Sequence, residues 1–126
     1  MSLGALRTIE VHERYMKLSV VMPAHNEEDS IAKPVESLIQ TLTAEGIDHE
    51  VLVVNDSSMD RTEAVLQDLR STYPTLRYVN NQPPNGFGLA VREGLEHFTG
   101  DAVAIVMGDG SEIAVKTIKG RLSYVS

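Results

Sequence analysis

The stretch Val51-Leu52-Val53-Val54-Asn55-Asp56-Ser57-Ser58-Met59-Asp60 constrains the fold of this chain more than any other. Apolar, mostly β-branched residues run directly into small polar and acidic ones. A continuous run of this kind, closed by turn residues, suits a strand buried on both faces. Burial on both faces implies a parallel sheet covered by helices. In such sheets ligands bind just beyond the carboxyl ends of the strands. Asn55, Asp56, Ser57 and Ser58 fall at that end. Asp and Ser also end strands and cap helices, so a single run of this type is compatible with a purely structural role.

The pattern recurs. Leu18 to Met22 leads into Pro23-Ala24-His25-Asn26-Glu27-Glu28, Leu76 to Val79 into Asn80-Asn81, and Ala102 to Met107 into Gly108-Asp109-Gly110-Ser111. If the strands are parallel, Glu27, Asp56 and Asp109 share one rim. Carboxylates gathered there repel each other unless a cation or a hydrogen-bonding ligand compensates.

Helical signals fill the gaps. Asp29 or Ser30 can cap a first helix whose Ile31, Val35, Leu38, Ile39 and Leu42 recur on one face. Pro34 lies in its first turn, where a missing N–H costs little, and Gly46 is a natural stop. Ser58 or Asp60 opens a second helix, with Asp60 and Glu63 spaced as a capping box. Its inward residues are Ala64, Val65, Leu66 and Leu69, and Tyr73-Pro74 closes it. After a loop at 80–86, a third helix runs from Phe87 to Phe98 with Ala90, Val91, Leu95 and Phe98 inward. Alternating strands and helices with right-handed crossovers make a doubly wound, Rossmann-like α/β sheet, expected in the strand order 3-2-1-4. Residues 1–15 read as an N-terminal extension, 16–112 as the α/β domain, and 113–126 as a divergent or truncated C-terminal segment. In that last segment Ile113, Val115 and Thr117 alternate as in a strand, whereas Ile118, Leu122 and Val125 fit a helix. A half-sheet cut short there would expose apolar surface and self-associate.

Composition narrows the function. The net charge of -7 argues against nucleic acid as a partner, because no basic stripe is present to neutralise phosphates. Without Cys there is neither a disulfide framework nor thiolate chemistry. No apolar run approaches the roughly 20 residues of a membrane helix, and no signal peptide is visible, which points to a cytoplasmic location. Gly86-Phe87-Gly88 follows the third strand and has Val91 where a dinucleotide fingerprint needs a third Gly. Ser57, His25 and Asp109 could form a triad, but no nucleophile elbow is present. The four His residues show no i, i+4 pairing of the kind that holds zinc.

Four segments, taken together, resemble family 2 glycosyltransferases, most closely the dolichyl-phosphate mannosyltransferase-like branch. Val20 to Glu28 is similar to that family's V-V-I-P-A-Y-N-E-E. Val54 to Thr62 is similar to its V-D-D-G-S-T-D-x-T. Asn85 to Gly94, followed by Gly100-Asp101, resembles its N-x-G-x-G-x-A-x-x-x-G segment and the G-D after it. Val106 to Ser111 stands at its D-x-D region.

The resemblance implies a partial glycosyltransferase A fold, a nucleotide-diphosphate sugar donor, and Mg²⁺ or Mn²⁺ on the diphosphate. It further implies a lipid-phosphate acceptor of the polyprenyl type, which would place the chain at the inner face of a membrane. By matched position, Pro23, Ala24, His25, Asn26 and Glu27 line the nucleotide-sugar pocket together with Asp56, Gly86, Gly88 and Arg92, and Asp109 holds the metal. Such hard cations prefer oxygen ligands and bridge phosphates. The departures are Asn55 for the first Asp of the D-D pair, Ser57 for its Gly, and a lone Asp109 between Gly108 and Gly110. The acceptor-side elements that follow in the family have no counterpart after Glu112. The competing expectation is a non-catalytic binding or interaction domain on the same scaffold.

Overall fold

The computed structural model describes residues 17–84, 86–106, 112–117 and 122–124. Along the chain they form β1 (Leu18–Ala24), α1 (Ala32–Ala44), β2 (His49–Asp56), α2 (Thr62–Thr72), β3 (Leu76–Asn81), α3 (Phe87–His97), β4 (Ala102–Val106), β5 (Glu112–Thr117) and β6 (Leu122–Tyr124). The sheet order is β3-β2-β1-β4-β5-β6. Its first four strands are parallel, in the expected 3-2-1-4 order. β5 and β6 add on in antiparallel fashion. For Ile113, Val115 and Thr117 the alternating pattern therefore prevails, because the free edge of β4 offers a ladder to pair with.

Every residue of β1 and β2 is buried, as their continuous apolar runs require. Alternate side chains go to opposite layers. Val20, Met22, Val51, Val53 and Ala104 pack with Ile31, Val35, Leu38, Leu42 and Leu66 on the face covered by α1 and α2. Val21, Leu52, Val54 and Val103 pack with Ala90 and Leu95 of α3, and with Phe98 just after it, on the other. Each such fully buried Val or Leu contributes about 1.5–3 kcal/mol relative to exposure. The parallel strands are thus covered on both faces, and in sheets of this kind ligands bind at the carboxyl-end rim.

Local signals hold in part. Gly46 adopts φ +71 after α1, and the amides of Gly46 and Ile47 return to the carbonyls of Thr43 and Leu42, closing the helix through the left-handed Gly. The start of α1 departs from expectation. Neither Asp29 nor Ser30 caps it; the residue before it is Ile31, with no side-chain cap. Instead, the Glu27 carbonyl takes the amides of Ser30 and Ile31, so a backbone turn feeds the helix. The capping box at α2 also fails to close. Asp60 accepts from the Thr62 amide at 2.9 Å, but the Glu63 carboxylate reaches across to Tyr78 and Asn80 of β3, both at 3.1 Å. In α3 the buried positions are Ala90 and Gly94, whereas Val91 is only half-buried. A Cβ on Gly94 would stand 2.4 Å from Val21 Cγ1, so the missing side chain lets α3 lie directly on the sheet.

Candidate nucleotide-sugar site at the carboxyl-end rim

The polar residues released by β1, β2 and β3 meet where expected, and a hydrogen-bond web ties them together. From the β1 loop, Asn26 donates its amide to Ser58 Oγ at 3.0 Å, and its Oδ1 accepts the Met59 amide at 2.7 Å. A backbone N–H can only donate, so the Asn26 side chain is fixed with its NH₂ toward His25 Nε2, 3.2 Å away. His25 Nε2 is then an acceptor, and its Nδ1 carries the proton donated to the Asp56 carbonyl. Glu27 donates its amide to Thr62 Oγ1 at 2.9 Å, and Glu28 donates to Asp60 at 3.3 Å. The β1 loop is thereby fastened along the whole β2–α2 turn. The hydrogen bonds from Thr62 outweigh the effect of burial and hold the Asp60 carboxyl below its usual value.

Asp56 ties in the other side. It is 4 % exposed, and its two oxygens accept Asn81 Nδ2 at 2.8 Å and the Gly86 amide at 2.9 Å. One carboxylate therefore joins the end of β2 to the end of β3 and to the entrance of α3. Gly86 has φ +151, a conformation that L side chains rarely adopt, so glycine is required there by the backbone. Asn26 and Ser57 also take left-handed conformations, at φ +50 and +56. Such strain in non-glycine residues persists where surrounding contacts over-determine it, and it clusters at binding sites.

Pro23 and Ala24 are buried at the end of β1, with His25, Asn26 and Glu27 following them at the rim. Gly88 is exposed in the first turn of α3. Arg92 stands five residues into that helix, about 7.5 Å along it; its side chain is 78 % exposed and its Nε lies 3.8 Å from Glu96. Asp109 lies outside the described residues. Among the described residues no group of three or more His, Cys, Asp or Glu side chains could hold a metal ion. A cavity of about 170 Å³ opens at the β2–β3 corner, lined by Asn55, Ser57 and Ser58, by Asn80 to Gln82, and by Glu63 from α2. Sequence reasoning did not single out Glu63, Asn80 or Asn81 as site residues. Their tendency to turn or cap was visible, but the register that sets Asn80 beside Asn55 and Asn81 beside Asp56 is a tertiary fact.

Residues 19–117 match the family described as Glycosyl transferase family 2, and the chain belongs to that family. It is 32% identical over 114 residues to the dolichyl-phosphate beta-glucosyltransferase ALG5A of Trichomonas vaginalis, matching 81% of this chain and 35% of that protein. It is 31% identical over 94 residues to the dolichol-phosphate mannosyltransferase of Pyrococcus furiosus, matching 75% of this chain and 26% of that protein. The chain thus spans about a third or less of the length of these curated relatives. Among solved structures it resembles the mannosyltransferase PcManGT of Pyrobaculum calidifontis in complex with GDP-Man and Mn²⁺. The TM-score is 0.65 at 26% identity, covering 75% of this chain and 28% of the other. The architecture is accordingly part of the glycosyltransferase A fold. No helix among the described residues is long and apolar enough to cross a membrane.

Proposed function

We propose that this chain is the donor-binding part of a glycosyltransferase that uses a nucleotide-diphosphate sugar and passes a hexose to a polyprenyl phosphate. The observation that carries this reading is the rim itself. The loops after β1 and β2 and the entrance of α3 are drawn into one surface by Asn26 and Asp56 at the carboxyl ends of buried parallel strands. In this reading Pro23 to Glu27 and Gly86 to Gly88 frame the nucleotide, Asp56 holds the two sides of the frame together, and Arg92 meets the donor from α3. The two curated relatives' names support a dolichyl-phosphate type of acceptor, and such a lipid would bring the protein to a membrane face. Residues 16–112 form the donor-binding domain in this proposal.

The described residues alone supply no metal site. The proposed Mg²⁺ or Mn²⁺ depends on Asp109, and the Mn²⁺ bound with GDP-Man in the Pyrobaculum calidifontis neighbour supports it. Titration calorimetry of the purified chain with UDP and with GDP, with and without Mn²⁺, tests both points. Binding strengthened by Mn²⁺ in the wild type, and not in Asp109→Asn, is the expected result. Equal affinities of both proteins under both conditions would remove the metal assignment. No binding of either nucleotide would remove the donor reading.

A further inference from the structure

His25 stands where the pattern V-V-I-P-A-Y-N-E-E has Tyr, so this chain carries an imidazole in place of a phenol. A phenol keeps its proton to about pH 10, whereas an imidazole changes charge between about pH 5 and 8. The His25 ring is exposed, so protons reach it. Both of its nitrogens are nevertheless engaged. Nδ1 donates to the Asp56 carbonyl, and Nε2 accepts from the Asn26 side-chain amide at 3.2 Å.

A proton added to Nε2 finds no acceptor in this web. It meets the Asn26 NH₂, donor against donor. Turning the Asn26 amide over relieves that contact but sets its NH₂ against the Met59 N–H, which now donates to Oδ1 at 2.7 Å. The backbone of Asn26 sits at φ +50 with its amide held by Ser58 Oγ at 3.0 Å, which leaves the residue little room to withdraw. The web therefore admits only the neutral ring. His49 shows the contrast. Its Nδ1 is bound to the Ile47 carbonyl at 2.8 Å, and its Nε2 faces Thr75 Oγ1 at 3.0 Å. A hydroxyl can donate or accept, so a proton on His49 leaves that pair intact.

Other charged groups lie on the segments around His25. Glu27 and Glu28 share its loop, and Asp56 ends β2. Asp60, Arg61 and Glu63 follow in the turn and the start of α2, Arg92 lies on α3, and Asp109 comes after β4. Carboxylates and guanidinium groups ordinarily titrate outside the range of pH 5–8. His25 is thus the group at this rim that changes charge there.

We infer that His25 and Asn26 form a proton-operated latch on the β1 loop. The neutral ring ties the loop to the end of β2 and lets it frame the donor; protonation releases the loop and weakens donor binding. Asn26 is the positioning residue that makes the web intolerant of the proton. This rests on the donor-binding reading above. The sign is diagnostic, because an imidazolium acting through charge alone would attract the anionic diphosphate and strengthen binding as the pH falls.

Calorimetry of the purified chain with GDP-mannose and with UDP-glucose, each with Mn²⁺, at pH 7.5 and 5.5 tests the latch. The doubly esterified diphosphate of these ligands does not titrate in that interval. The wild type is expected to bind about tenfold more weakly at pH 5.5, the worth of one or two neutral hydrogen bonds. His25→Tyr should change by less than about twofold. Asn26→Asp tolerates the left-handed backbone, keeps an acceptor for Met59 and offers a second oxygen to a protonated Nε2. It is expected to abolish or reverse the fall, which a loss of packing would not do. Thermal unfolding shows that both variants are folded. In the ligand-free wild type, the Met59 amide resonance should titrate together with the His25 ring. Wild-type affinity that is level or higher at pH 5.5, a fall that persists in either folded variant, or a Met59 amide that ignores the ring overturns the latch and leaves the donor reading intact. Failure of both nucleotide sugars to bind the wild type at pH 7.5 overturns both.

Discussion

The two ends of the parallel sheet both bury a hydrogen-bonded carboxylate but satisfy the polar groups around it to different degrees. At the amino end, Glu50 is 3 % exposed and is met from several directions. Ser19 Oγ and the Thr99 amide both donate to its Oε2 at 2.6 Å, and Arg77 donates to its Oε1 at 2.6 Å. Ser19 Oγ in turn accepts the Gly100 amide at 2.8 Å. This end is closed: β1, β2, β3 and the turn before β4 are locked around one charge. At the carboxyl end, Asp56 also joins two strands and a helix, but an acceptor beside it on Asn55 is left over and loops adopt left-handed turns. Full satisfaction at one end fixes the scaffold. At the other end satisfaction is incomplete. A buried polar network holds its surroundings most firmly where the chain itself supplies every partner.

Breaking the closed end should cost the most stability. Glu50→Ala leaves Arg77 and the Thr99 amide without their acceptor and is expected to lower unfolding free energy by about 3 kcal/mol. Urea denaturation measures this, and nucleotide affinity of the folded protein should stay within about twofold of the wild type, well under the 1.4 kcal/mol of a tenfold change. An equal collapse of affinity would show that the two ends are not separable.

Gly100→Ala should follow, at about 1–3 kcal/mol. An added Cβ would lie 2.7 Å from the Lys17 carbonyl and 2.6 Å from Ser19 Oγ, and the backbone of β1 cannot easily withdraw. A smaller loss at the carboxyl end, about 1–2 kcal/mol, is expected of Thr62→Val, which removes the acceptor of the Glu27 amide in a fully buried position. Here the comparison sharpens, because Thr62→Val should weaken nucleotide binding more than Gly100→Ala does, despite its smaller effect on stability. The reverse order in calorimetry would mean that the β1 loop does not frame the ligand.

The smallest effect is in the pH dependence. Burial pushes the Glu50 carboxyl up, but the hydrogen bonds from Ser19, Thr99 and Arg77 prevail and hold it below the ordinary value of 4.5. A carboxyl with a depressed folded-state pKa contributes stability that is fully present above the unfolded value and lost as pH falls through the folded one. Wild-type stability should therefore be level above about pH 5 and decline below the usual Glu range. Glu50→Gln should flatten that decline, and the lowered Asp60 carboxyl at the rim should leave a residual slope. A Glu50→Gln slope as steep as the wild type's would show that the closed end does not carry the linkage.

What could be read from the residues alone follows from this division. The strands of the parallel core, the inward face of α1 and the Gly46 stop are set by short-range pattern, because burial on both faces of a strand or one face of a helix leaves a periodic trace, and the strand order is expected from these runs together with right-handed crossovers. The rim was legible for the same reason, since each buried run empties into Asn, Asp, Gly or Ser. The partners of those residues were not legible. The Glu63 spacing pointed to a cap, yet the carboxylate goes to Tyr78 and Asn80, which the parallel register of β3 brings within reach. Nothing in the local sequence marks Glu50, and only the meeting of Ser19, Arg77 and Thr99 makes it a buried hub. Local sequence determines which segments become strands and helices, because their energies are summed over neighbours a few residues apart. Which of these acceptors are satisfied depends on groups 15 to 49 residues away in the chain, and only the assembled tertiary structure brings those together.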